Sequence, residues 1–146
     1  MSPTTASAVI ALATGIEHCL AEFYACLAEK PGSNKDLMLR LAKESRKNER
    51  LINRVYYGAI TDALEACFSF NGVELEAYAL DLELGEEKSY ADAIAIAMDA
   101  EETVTEFYRD MAQKTRVLIG DLPLVFDRLA EARQERRRSL AMCLRR

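Results

Sequence analysis

Glu17 and Tyr24 are one heptad apart, and so are Glu101 and Tyr108. Elsewhere Ser45 and Asn48, and again Arg133 and Arg136, stand three residues apart, the spacing that puts two side chains on one face of a helix. Two carboxylates brought together inside a protein need a counter-charge, because burial alone would make them bind protons. That counter-charge is either a metal ion or a fixed cation such as the guanidinium of Arg133 or Arg136.

An internal repeat ties these residues together. "GIEHCLAEFYACLAE" (15–29) aligns with "DAEETVTEFYRDMAQ" (99–113), matching Glu17 to Glu101 and Tyr24 to Tyr108. "RLAKESRKNERLI" (40–52) aligns with "RLAEARQERRRSL" (128–140), setting Ser45 against Arg133 and Asn48 against Arg136. Each segment carries an apolar stripe at coiled-coil spacing. The stripes are Ala13-Glu17-Leu20-Tyr24, Met38-Leu41-Ser45-Asn48-Ile52-Val55, Ile94-Ala97-Glu101-Val104-Tyr108 and Phe126-Leu129-Arg133-Arg136-Leu140-Cys143. All four turn polar near the middle, which places Glu17, Glu101, Ser45, Asn48, Arg133, Arg136, Tyr24 and Tyr108 in one interior layer. A rotated fourth helix, with Val125, Leu129, Ala132 and Leu140 inward, would instead let Arg133 lean out to solvent.

Sparse punctuation sets the elements that hold this layer. "KPGSN" at 30–34 and "IGDLP" at 119–123 are the main breaks. They predict helices from about Thr5 to Glu29, Lys35 to Tyr57, Ser89 to Lys114 and Pro123 toward Arg146, with Ser89 and Asp121 as cap candidates. The expected fold is all-α, a single domain over 1–146, with two antiparallel helix pairs joined by a long crossover over 58–88. Alternating apolar residues in "VELEAYALDLEL" (73–84) leave a strand as the other reading there.

Composition narrows the class. Of 146 residues half are hydrophobic, with 6 Gly and 3 Pro, as long regular elements require. A net charge of −5 argues against nucleic acid or an anionic membrane as partner. No apolar run is read as approaching the length of a membrane span, and no secretory leader is read at the start. Cys19, Cys26, Cys67 and Cys143 lack CxxC spacing and are expected to be buried thiols of a protein in a reducing cytoplasm. His18 is the one histidine and sits about 100° around the helix from Glu17, so a surface or helix-interface position is expected.

With its two helix pairs, long connection, Glu-to-Tyr heptads and "LAKE" leading into the polar part of helix two, the chain resembles the rubrerythrin branch of the ferritin-like superfamily. The resemblance implies a four-helix bundle around a diiron centre, with peroxidase, oxidase or iron-handling activity. In that family helices one and three each supply a Glu, and helices two and four each supply a Glu-x-x-His pair. By position Glu17 and Glu101 correspond to the two single carboxylates. The Glu-x-x-His pairs fall on Ser45 with Asn48 and on Arg133 with Arg136, none of which replaces the family's ligands.

The expectation is therefore a ferritin-like bundle without its diiron centre or any cofactor, with no catalytic residue, acting as a structural, partner-binding or regulatory protein. In it Arg133 and Arg136 neutralise Glu17 and Glu101, while Ser45 and Asn48 satisfy leftover polar groups. The alternative is an iron-binding oxidoreductase with a carboxylate-only site from Glu17, Glu44, Glu101 and Glu131 or Glu135. Apolar surface in "FSFNGVELEAYALDLEL" (68–84) suggests a homodimer. Nucleic-acid binding through "RQERRR" (133–138) is disfavoured, because that run lacks the aromatics of a single-strand binder.

Overall fold

The computed structural model describes residues 4–59, 69–70, 75–85, 88–114 and 122–144. Within them are four helices, α1 (Ala6–Ala28), α2 (Lys35–Ala59), α3 (Tyr90–Lys114) and α4 (Leu122–Leu144). Their boundaries lie within two residues of the periodicity-based ones; Asp121, the far C-terminus and the parts of the expected crossover at 60–68, 71–74 and 86–87 lie outside the described residues. A two-residue strand β1 (Thr4–Thr5) pairs antiparallel with β2 (Ser69–Phe70), an addition that apolar periodicity does not signal.

The turn between α1 and α2 is built by its own chemistry. Gly32 adopts φ 79°, a conformation that costs glycine little and other residues more. Ser33 Oγ donates to the carbonyl of Ala28, covering an open end of α1, and Asn34 Oδ1 accepts from the N–H of Leu37 to cap α2. At α3, Ser89 Oγ accepts from the N–H of Asp92 while Asp92 accepts from the N–H of Ser89, a reciprocal capping box.

α1 packs along α2, and α3 along α4; α2 also meets α4, and α1 meets α3. The start of α3 sits beside the α1–α2 turn, where Lys30 Nζ donates to the carbonyl of Lys88 and the N–H of Asn34 donates to Tyr90 Oη. Gly32, Asn34, Tyr90, Cys143 and Leu144 line one depression at that same end. Hence α1 and α4 point one way, and α2 and α3 the other. One core cluster runs through the bundle, including Leu20, Met38, Ile52, Ile94, Val104, Phe107, Phe126 and Leu140.

Residues 75–85 depart from the strand reading. Leu75–Tyr78 form one 3₁₀ turn, and 79–85 have no regular secondary structure and pair with no strand among the described residues. Leu80, Leu82 and Leu84 are half-buried and alternate with exposed Ala79, Asp81 and Glu83. The period of two is real, but it belongs to a strap that lays alternate leucines on the bundle, not to a sheet. Tyr78 fixes the strap by donating to Asp110 (2.5 Å) and packing edge-on against Phe107.

The strap explains two further departures. A groove of about 710 Å³ runs between it and α1, lined by Leu12, Gly15, Cys19, Cys26, Leu80 and Leu82 among others. Cys19 and Cys26 are exposed and Cys143 is half-buried, so these thiols are not in the core; Cys67 lies outside the described residues. α1 thus has an apolar face on the bundle and a second one under the strap. Apolar on both sides, Ser7–Ala28 is long and apolar enough to cross a membrane by length and composition, contrary to the sequence reading, and half of that stretch is buried inside the bundle. Core helices pass the same criterion.

Ser89→Ala removes the hydroxyl of the capping box and should lower stability by about 1 kcal/mol in urea unfolding. Ser89→Asp, which keeps an acceptor at the cap, should restore most of the loss.

Candidate functional site

Each helix turns a polar group inward at mid-height because its stripe keeps heptad spacing through that point. Glu17, Glu101, Ser45, Tyr24, Tyr108 and Arg133 are 0% exposed; Arg136 is 2% and Asn48 8%. Leu129 and Leu140 are buried on the same face of α4 as the two arginines. The rotated register, with Arg133 outside, is therefore not the one adopted.

Arg133 lies between the two carboxylates. Its Nη2 donates to both oxygens of Glu17, at 2.7 Å to Oε2, and its Nε lies 3.0 Å from Glu101 Oε2 as an ion pair. Arg136 Nη1 donates to Glu101 Oε1 and Nε to Glu44 Oε1, each at 3.1 Å. Glu44, on α2, is partly open to solvent and forms the outer edge of the cluster. All four helices contribute a charge or a hydrogen bond.

The tyrosines close the cluster reciprocally. Tyr24 on α1 donates to Glu101 Oε1 (2.7 Å) on α3, and Tyr108 on α3 donates to Glu17 Oε2 (3.1 Å) on α1. Asn48 Nδ2 adds a third donor to Glu17 Oε2, at 3.3 Å. The Arg133 guanidinium carbon stands 5.3 Å from the Tyr108 ring centroid, within cation–π range. Ser45 does not take the role expected of it, since its Oγ finds no hydrogen-bond partner among the described residues. Arg133 Nη1, Arg136 Nη2 and, apart from their mutual ion pair, Arg133 Nε and Glu101 Oε2 are likewise buried without a hydrogen-bond partner among the described residues, so the cluster balances charge more completely than it satisfies hydrogen bonds.

Protonation follows from this geometry. Burial pushes the Glu101 carboxyl up, but Arg133 and Arg136 outweigh it and hold its pKa below the ordinary value. Burial opposes the charge on Arg133, yet Glu17 and Glu101 hold it well protonated. Arg136 is also raised, against burial and the repulsion of Arg133, by Glu101, Glu17 and Glu44. Burial first, and then Glu101 or Glu17, keep Tyr24 and Tyr108 neutral far above the usual phenol range. Two buried negative and two buried positive charges balance.

Of the carboxylate-only set, Glu17, Glu101 and Glu44 meet, but around Arg133 and Arg136. Glu131 and Glu135 face solvent on α4, with Glu135 in an exposed ion pair to Arg138. Among the described residues no group of three His, Cys, Asp or Glu side chains is arranged to hold a metal. His18 lies on the surface, its two ring nitrogens 3.2 Å from Glu22 and 3.9 Å from Glu49. Comparison with known proteins finds no matching family model, no similar curated protein and no similar solved structure.

The sequence reading passed over the outer face of α2. Arg40, Lys43, Lys47, Arg50 and Arg54 are all exposed and fall at alternating three- and four-residue steps. The signal was available as the same heptad spacing that marks the core stripe, displaced to the opposite side of the helix. In the other basic run, "RQERRR", two of the arginines are buried in the cluster.

Arg133→Ala should cost about 3–5 kcal/mol in chemical unfolding, because it strands Glu17 and Glu101 without their shared cation. Glu101 has a folded pKa below its unfolded one, so its contribution is complete above the unfolded value of about 4.3 and is lost as pH falls through the folded one. Stability measured by denaturant titration should accordingly decline below about pH 4. Glu101→Gln should be less stable at neutral pH and should show a shallower acid decline.

Proposed function

We propose that this chain is a non-enzymatic bundle of ferritin-like, rubrerythrin-like descent that works as a structural or partner-binding protein. The observation that carries this reading is the enclosure of Arg133 between Glu17 and Glu101, with Arg136 completing the charge balance. In the superfamily the corresponding layer holds two metal ions. Here the positions of the Glu-x-x-His pairs carry Ser45, Asn48, Arg133 and Arg136, and the two carboxylates that remain are occupied by guanidinium groups. A divalent ion would have to displace a bound cation and sit beside another. The residues present do not fit a diiron centre.

The helix directions support the same descent. α2 and α3 point the same way, and α3 begins at the end of the bundle where α2 begins. A connection between them that runs back along the bundle is the crossover of ferritin-like folds, and the strap at 79–85 is read as part of it. Purified after expression with added iron, the protein should contain far less than one iron per chain and show no ligand-to-metal absorbance. About two irons per chain, as a dinuclear centre requires, would reverse the conclusion.

A further inference from the structure

The outer charges of the bundle are segregated by helix. α2 carries seven Lys or Arg against three Asp or Glu. Of its acids, Glu44 turns toward Arg136 and Glu49 toward His18, leaving Lys43, Lys47, Arg50 and Arg54 as an outward ridge, with exposed Arg40 at its edge beside α4. None of these five forms an ion pair with another described residue. α3 carries six Asp or Glu against two Lys or Arg. Asp92, Asp99, Glu102 and Glu106 are exposed on its outward side, and Asp81 of the strap lies beside Asp99.

The two ridges match in length and, over Lys47-Arg50-Arg54 and Asp99-Glu102-Glu106, in spacing. Arg40 to Arg54 and Asp92 to Glu106 each span fourteen residue steps, or about 21 Å of helix. They also face apart. α2 packs on α1 and α4, and α3 packs on the same two helices, so α2 and α3 are diagonal in the bundle and their outer ridges look in opposite directions.

We propose that the basic ridge of α2 docks on the acidic ridge of α3 of a second copy of this chain. Because the two surfaces differ, the contact is head-to-tail and can repeat from copy to copy instead of closing as a two-fold dimer. A second copy is favoured over a phosphate polyanion by charge complementarity, since the acidic ridge and the net charge of −5 repel nucleic acid and anionic membranes alike. This rests on the partner-binding part of the proposed function and is independent of the metal question. Iron content tests one and association state tests the other.

Sedimentation velocity of the full chain at about 20 mM and about 500 mM salt reads the contact directly, since exposed charges are screened beyond a few ångströms at the higher value. The parent should associate at low salt and become monomeric at high salt. One variant carries Lys43→Glu, Lys47→Glu and Arg50→Glu; a second carries Asp99→Lys, Glu102→Lys and Glu106→Lys. Both should keep the parent's circular dichroism, because every altered side chain is exposed. Each alone should lose roughly 10- to 100-fold in association constant, as three exposed pairs become repulsive. Mixed, they present complementary ridges again and should associate. A parent that is monomeric at low salt, variants that associate as the parent does, or a mixture that stays monomeric would each overturn the proposal. So would binding of the parent to duplex DNA or anionic vesicles that is lost in the first variant, if the parent does not self-associate.

Discussion

Arg133 has no water to turn to. A guanidinium enclosed in the centre of a bundle must find its counter-charges on neighbouring helices, and it finds them on α1 and α3 at once. That requirement fixes much of the surrounding structure. It sets the heights of Glu17 and Glu101, brings Arg136 in to complete the balance, and has Tyr24 and Tyr108 each add a hydrogen bond to one of the two carboxylates. Desolvation opposes attraction in such a cluster, so it need not add much net stability even though breaking it is costly. An apolar layer would allow a helix to slide or rotate at small cost, whereas a one-residue shift of α4 would leave four charges without partners.

Around this centre, the helices differ in how many faces they commit. α2 is apolar on one side and basic on the other. α1 is apolar on two sides, one in the bundle and one beneath the leucines of the strap. Its length and apolarity therefore reflect double packing, with a face left as a groove where small residues such as Gly15 leave room.

The sequence exposed the architecture where one signal dominated. Apolar residues at heptad spacing located the helices, but Leu129 and Leu140 belong to both registers of α4, so the direction of Arg133 was settled only by its burial. The repeat then paired each polar position with an equivalent in the other half. Legibility failed where a pattern had two physical causes. Alternation at Leu80, Leu82 and Leu84 suits a strand or an unpaired strap, and only the absence of a neighbouring strand decides. Cysteine usually marks a core, but Cys19 and Cys26 lie on the second face of α1, which exists because of the strap. Ser45 is inward as the stripe required, yet the direction of a hydroxyl depends on atoms that no spacing rule supplies. The basic ridge of α2 has the same heptad spacing as the core stripe, but on the solvent side, where no packing constraint marks it out.

The exchange of tyrosines has a consequence for how the two halves find each other. The α1–α2 and α3–α4 hairpins are alike in sequence, and two like hairpins could in principle pair with themselves. Inside, however, they are not alike. The first offers Glu17 with only Asn48 to answer it, and the second offers Glu101 with a surplus of guanidinium. Pairing first with first would bring together carboxylates with no cation, and second with second would bring together four arginines with two carboxylates. Only the unlike combination balances the fully buried charges, with Glu44 held at the solvent edge, so the interior charges distinguish one half of the molecule from the other.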